Sequence, residues 1–260
     1  MLEITDAELM TWLSAWLWPF IRISTFVVTA PVIGTQALPG RVRLIFALAL
    51  TTIIAPLHAA AMPNVEIMSA AGLGLAVQQV LIGGMLGLVL RTIFLILEFA
   101  GQVVAQQMGL GFAAMVDPVS GAQVPVVSQL YIILATLMFF AFNAHLKLIE
   151  LIADSFALMP PGGHMPSPAA LYYIIEWTGQ MLGAGILMMM PAVASLLIVN
   201  LSFGVIARSS PQFNIFSIGF PVMILFGAVV LLLSIGMLAG QMEVIFADGF
   251  AAAYETLRRQ

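Results

Sequence analysis

The chain has 260 residues, of which 62% are hydrophobic and only 8% are Asp, Glu, Lys or Arg. Soluble domains carry about 25% charged residues, so this composition excludes an ordinary soluble fold and indicates a chain in lipid or inside an assembly. The chain has no cysteine, which excludes disulfides and thiolate metal sites. Its eight basic residues and net charge of −4 argue against a nucleic-acid partner.

Six hydrophobic segments follow one another along the chain, separated by turns rich in proline and glycine. They cover roughly 9–30, 43–61, 68–100, 126–146, 171–207 and 212–242. Helices of about 20 apolar residues cross a hydrocarbon core, and the alternating pattern of a membrane barrel is absent. The sequence therefore predicts an all-α fold of hydrophobic helical hairpins. A weaker amphipathic stretch follows the fourth segment at Lys147 to Met159, and a short C-terminal helix is expected over about 243–260.

Several of these segments contain features that a plain membrane anchor does not need. Pro19, Pro191 and Pro221 interrupt apolar runs and predict kinked or broken helices. Glycines four residues apart allow close helix packing, although this spacing also arises by chance in a chain with 22 glycines. These pairs are Gly83 with Gly87, Gly179 with Gly183, and Gly236 with Gly240.

The basic residues do not orient six alternating spans. Three of them (Arg41, Arg43, Arg208) fall on one side and three (Lys147, Arg258, Arg259) on the other, although cytoplasmic loops should be enriched in Lys and Arg. The tie indicates a packed assembly rather than a simple lipid-facing bundle. No change in composition marks a second domain, so we expect one domain over residues 1–260.

Polar side chains in the third segment form a stripe. Arg91, Glu98, Gln102 and Gln106 fall within an arc of about 80° on one helical face. Such a stripe among apolar residues indicates a subunit interface or a water-filled path, although residues 98–106 could also lie at the membrane surface. Arg22 lies inside the first apolar run and needs a partner that the sequence does not identify.

The segment after this stripe, Gln107 to Pro118, is apolar and glycine-rich at once. Exposed loops are usually polar, so we expect this one to pack into something. A plug or gate is one interpretation, and a re-entrant loop packed against neighbouring helices is the other. The polar break 208–214, which begins at Arg208, is explained by a hairpin turn alone or by a role in the same interface.

Enzymatic motifs do not appear. His58, His145 and His164 are far apart and lack the spacing of metal ligands, and there is no nucleophile elbow or phosphate loop. We expect no catalytic residue, no metal and no cofactor.

Two motifs identify a resemblance over nearly the whole chain. One is the run Gln107 to Ala113. The other is Asn200 to Gly204, continued by Ala207-Arg208, Pro211-Gln212, Asn214 to Phe216 and Ile218 to Pro221. Pro39 with Arg41 and Arg43, and Phe142 to His145, fit the same pattern. The chain resembles the FliR/SctT family of type III secretion export-gate proteins, and its motif details favour the flagellar members.

The resemblance implies a role and a set of partners. Family members resemble a fusion of FliP and FliQ and join several copies of each in a helical gate. That gate would be the inner-membrane portal, within the flagellar basal body, for unfolded flagellar proteins. FlhB and FlhA are implied neighbours, and the loop about 106–123 would plug the closed pore. Its plug residues would be Met108, Gly109, Leu110, Gly111, Phe112 and Met115. A secondary transporter with broken helices is the alternative, and a purely structural scaffold is a third interpretation.

Overall fold

The structure is a computed structural model that describes residues 6–35, 38–59, 62–63, 65–110, 126–209 and 215–259. Within these ranges it contains seven α-helices and no strand, which confirms the all-α prediction. The helices are α1 (Asp6–Thr29), α2 (Gly40–His58), α3 (Ala70–Gln107), α4 (Val126–Ala141), α5 (Ala144–Leu158), α6 (Pro168–Ser209) and α7 (Ile215–Arg258).

Four described helices are long and apolar enough to cross a membrane, fewer than the six segments of the sequence. They are α2, α3, α6 and the part of α7 from Gly219 to Arg258, and α4 with α5 makes a fifth if this bent pair counts as one span. The break in that pair lies at Phe142 and Asn143, where Asn143 has a φ of 55°. In α1 the apolar run is interrupted by Arg22 and several hydroxyl side chains. The equal number of basic residues on the two sides was counted for six spans, so that count does not apply to this structure.

The helices continue through the prolines that predicted breaks. Pro19 lies inside α1, Pro191 inside α6 and Pro221 inside α7. A proline removes one backbone hydrogen bond of a helix. These helices have 24 to 44 residues, and their other backbone hydrogen bonds keep them continuous. The expected short C-terminal helix is likewise not separate, because α7 runs without a break to Arg258.

The chain folds as two compact units. The first unit comprises Met1–Thr92, Asn143–Thr178 and Ala247–Gln260. In it α1 packs on α2, and the backbones of α1 and α3 come close at two glycines. A Cβ atom at Gly83 would collide with the carbonyl oxygen of Arg22, and one at Gly87 with the side chain of Thr29. This confirms close packing for one of the three predicted glycine pairs.

The second unit comprises Ile93–Phe142 and Gly179–Phe246. Its core contains an aromatic cluster in which the ring centroids of Phe94, Phe139 and Phe246 lie 5.7 to 5.9 Å apart. Near this cluster Gly101 of α3 approaches the backbone of Ser128 in α4, because an added Cβ would lie 2.6 Å from the Ser128 Cα. The other two predicted glycine pairs do not pack here, since a Cβ at any of the four positions would meet nothing within 4 Å.

Candidate functional site

Helix α3 ends in a Schellman motif at the start of the predicted plug. The Gly109 N–H donates to the Gln106 carbonyl at 3.0 Å, and the Leu110 N–H donates to the Ala105 carbonyl at 3.1 Å. Gly109 has a φ of 79°, which a residue without Cβ adopts readily. The Met-Gly-Leu sequence therefore stops the helix at Gln107 and satisfies two of its terminal carbonyls.

Two other helices of the second unit hold this helix end. Met108 is only 3% exposed and packs against α7 at Gly227, where an added Cβ would lie 2.5 to 2.8 Å from three side-chain atoms of Met108. The Asn200 Nδ2 of α6 donates to the Gln107 carbonyl at 3.2 Å. The end of α3 is therefore fixed from both sides by residues distant in sequence.

The predicted plug falls only partly within the described residues. Met108, Gly109 and Leu110 lie at the end of α3, whereas Gly111, Phe112 and Met115 lie outside the described residues. Met108 is buried inside its own unit, and Leu110 is half-buried. The sealing role expected for these side chains stays a prediction.

The predicted polar stripe is only partly covered by the residues that the structure describes. Arg91 and Gln106 are exposed, and Glu98 and Gln102 are half-buried. Neither Arg91 nor Glu98 has an ion-pair partner within the part of the chain that the structure describes. Arg208 is also exposed and lies in the last turn of α6, where its charge favours the negative end of the helix dipole.

The partner of Arg22 is a set of neutral oxygen atoms in the first unit. The fully buried guanidinium donates from Nε to the Gln79 Oε1 at 2.8 Å. It also donates to the carbonyls of Ser155 and Met159 at the end of α5, both at 2.7 Å. Its carbon lies 4.3 Å from the ring centroid of Phe156. A cation placed on the last carbonyls of a helix stabilises the negative end of its dipole.

Gln78 and Gln79 extend this network and were missed in the sequence. Gln79 donates to the Gln78 Oε1 at 2.8 Å, and Gln78 donates to the carbonyls of Gly163 and His164 at 3.0 and 2.8 Å. The Gly162 N–H returns a bond to the Gln78 Oε1 at 3.1 Å. Two adjacent glutamines inside an apolar helix were the available signal, because buried amides need partners.

The C-terminal turn of α7 is tied to the start of α6 in the first unit. The Ser167 hydroxyl accepts from the Ala170 N–H at 3.1 Å, as an N-cap does, and donates to the Arg259 carbonyl at 2.6 Å. The Arg259 guanidinium lies 4.3 Å from the ring centroid of Tyr173 and 2.9 Å from the Glu255 carboxylate. The residues around Arg259 therefore contact the first turns of α6.

Many of the exposed apolar side chains among the described residues lie on α6 and α7. Only 28% of the most apolar window of α6 and 17% of that of α7 are buried within the chain, against 56% for α3. Leu187 is 74% exposed on α6, and Leu233 is 79% exposed on α7. The glycine pairs without close neighbours lie on these same two helices. This surface needs lipid or protein to cover it.

Metal binding finds no support in the described ranges, where no group of three or more His, Asp or Glu side chains could hold an ion. Three separate features remain as candidates: the fixed end of α3, the polar stripe of the same helix, and the apolar side chains exposed on α6 and α7.

Comparison with known proteins finds relatives that match almost the whole chain. The model of the family described as Bacterial export proteins, family 1, matches residues 13–249. The chain is similar to Flagellar biosynthetic protein FliR of Escherichia coli (strain K12), with 35% identity over 96% of this chain and 95% of that protein. It is also similar to Flagellar biosynthetic protein FliR of Bacillus subtilis (strain 168), with 32% identity over 94% and 93% of the two chains.

Proposed function

Because the chain belongs to the bacterial export proteins, family 1, we propose that it is a core subunit of the flagellar type III export gate in the bacterial inner membrane. In this role it forms, with FliP and FliQ, the portal through which unfolded flagellar proteins are exported. FlhB and FlhA are its neighbours in the apparatus. The family is one of export components and not of enzymes, which supports a role in passing substrates rather than in changing them.

The length of the uncovered apolar face supports a subunit role more than any other observation. Helix α6 exposes large apolar side chains from Leu171 to Ile206, a distance of about 53 Å at a rise of 1.5 Å per residue. A hydrocarbon core is about 30 Å thick, and even a helix tilted by about 40° crosses it in roughly 40 Å. Lipid alone therefore leaves part of this face in water, and helices of other subunits are the natural cover.

Native mass spectrometry on the tagged chain, released gently from membranes of its host, tests this role. We expect one copy of the chain in a complex with two other small hydrophobic proteins. Leu187→Arg should remove the partners, because Leu187 is 74% exposed and the charge would enter an apolar interface. The matched variant Leu187→Met keeps the apolar contact and should keep the complex. A stable chain without partners in the unaltered protein would contradict the subunit role and favour a transporter.

The loop about 106–123 is proposed as the resting seal of this portal. Its apolar, glycine-rich sequence and its methionines suit a segment that fills an irregular opening and yields to a passing chain. The polar stripe Arg91, Glu98, Gln102 and Gln106, with Arg208, is proposed to face a subunit interface or the pore.

Deletion of residues 110–116 tests the seal directly. We expect the complex to assemble with unchanged composition, because the deletion leaves the helices that expose the apolar face intact. The membrane of resting cells should become permeable to ions, measured with a voltage-sensitive dye. A membrane that stays tight while the complex is intact would refute the seal.

A further inference from the structure

The end of α3 is held more firmly than the end of a helix requires. The Schellman motif at Gly109 already satisfies the carbonyls of Ala105 and Gln106. The structure adds the bond from Asn200 to the Gln107 carbonyl and the burial of Met108 against Gly227. These two contacts do not terminate the helix, and they come from two different helices. Their common effect is to fix where the chain leaves α3.

We propose that Asn200 and Gly227 are positioning residues that fix the α3 end and so set the point from which residues 111–125 begin. The consequence of this positioning for export rests on the proposed function, in which the loop about 106–123 acts as a seal. The seal has to return to one position after each exported chain, and a fixed starting point reduces the conformations open to the loop.

The chemistry of Asn200 fits this role. Asn200 is exposed on α6 between apolar neighbours, with Ile198 65% and Leu201 63% exposed. An amide in such a surface is unfavourable in lipid or in an apolar interface unless it is hydrogen-bonded. Gln107 O is the partner that the described residues offer. Once lipid or a subunit excludes water from this surface, the bond has less competition and holds α6 to α3 more strongly.

The absence of a side chain at Gly227 also fits the proposed positioning of the α3 end. A Cβ there would lie 2.5 Å from Cε, 2.6 Å from Cγ and 2.8 Å from Sδ of Met108. Because Cγ is close to the backbone, rotation of the terminal methyl group alone does not remove the clash. An alanine at 227 should therefore displace Met108 and the adjoining turn. On the same helix, a Cβ at Gly236 meets nothing within 4 Å, which makes Gly236→Ala a matched control.

The test uses the full chain in its native complex and a single introduced cysteine. The chain contains no cysteine, so Leu110→Cys provides one reporter thiol directly after Gly109. The labelling rate of this thiol by a maleimide measures how often the α3 end opens. Asn200→Leu, which keeps the size but removes the donor, should raise this rate about fivefold, the change that one net hydrogen bond produces in an equilibrium. Ser202→Ala, which removes only a bond to Ile198 within α6, should leave the rate unchanged.

A double substitution separates positioning from general loss of stability. Gly227→Ala should raise the labelling rate in the otherwise unaltered chain. It should raise the rate by a smaller factor in a Met108→Ala background, since the smaller side chain at 108 removes the clash. The composition of the complex by native mass spectrometry should stay unchanged in all variants, while the resting ion leak should rise in Asn200→Leu and Gly227→Ala. A rise in labelling with Gly236→Ala equal to that with Gly227→Ala would overturn the proposal.

The outcomes distinguish this inference from the proposed seal. If deletion of 110–116 causes a leak but Asn200→Leu and Gly227→Ala change neither labelling nor leak, the positioning role is wrong and the seal stands. If the two substitutions raise labelling while the deletion causes no leak, the helix end is positioned as proposed and the seal is wrong.

Discussion

Replacement of Arg22 by methionine tests whether the buried network stabilises the first unit. Methionine fills much of the same space but donates no hydrogen bond. In the variant the Ser155 carbonyl still accepts a hydrogen bond from the Met159 N–H. The Met159 carbonyl and the Gln79 Oε1 lose the hydrogen bonds that Arg22 donates to them. A buried acceptor without a donor costs about 1–3 kcal/mol, which gives roughly 4 kcal/mol for the two.

This loss is a large fraction of the free energy of unfolding, which is about 5–15 kcal/mol for a typical protein. At about 2–4 °C per kcal/mol for a chain of this size, the midpoint of thermal unfolding should fall by roughly 10 °C. Arg22→Ala should lower it further because it also leaves a cavity. Arg22→Lys should lower it less, because an ammonium group keeps the charge and part of the bonding.

Thermal unfolding in detergent, followed by tryptophan fluorescence, measures these midpoints. Trp18 lies one turn before Arg22 in α1 and is 1% exposed, so its emission should report loss of this packing. Arg41→Met is the matched control, because Arg41 is an exposed arginine of the same unit. A midpoint for Arg22→Met within about 2 °C of the Arg41→Met value, against the roughly 10 °C expected from these bonds, would refute the reasoning.

Two further predictions concern helix contacts in the first unit. Gly83→Ala should destabilise the chain by about 1–3 kcal/mol, because the new Cβ meets the backbone of α1 at Arg22. Gly179→Ala is the control, since its Cβ meets nothing within 4 Å and should have no such effect. Thermal unfolding of the two variants measures the difference. Ser167→Ala should cost about 1 kcal/mol through loss of the N-cap and should speed hydrogen exchange at the start of α6 and near Arg259. Exchange that is unchanged at both places would show that the hydroxyl does not join them.

The sequence predicted the main features that depend on composition and short motifs. The near absence of charge and the long apolar runs predicted an all-α membrane fold, and the structure confirms the helices. Gly83 and Gly87 predicted a close helix contact, which the structure confirms. The family resemblance was carried by short motifs in a fixed order, and the comparisons confirm it over nearly the whole chain.

Other features depend on which side chains meet, and hydropathy does not contain that information. Pro191 and Pro221 predicted kinked or broken helices, and both helices continue through these residues without a break. The identical spacing of the three glycine pairs did not show that only one has a neighbouring backbone within the described residues. The four residues of the polar stripe do lie on one helix, α3, and the interface or pore-lining role expected for them stays a prediction.

The sequence by itself determined that the chain is helical, avoids water and belongs with export proteins, because those properties follow from local composition and motif order. Only the tertiary structure decided that Arg22 binds the end of α5, and that Asn200 and Gly227 hold the end of α3. The physical reason is that a buried donor is satisfied by whichever acceptor the fold brings within about 3 Å. Those acceptors are backbone carbonyls, which every residue carries and no sequence pattern marks.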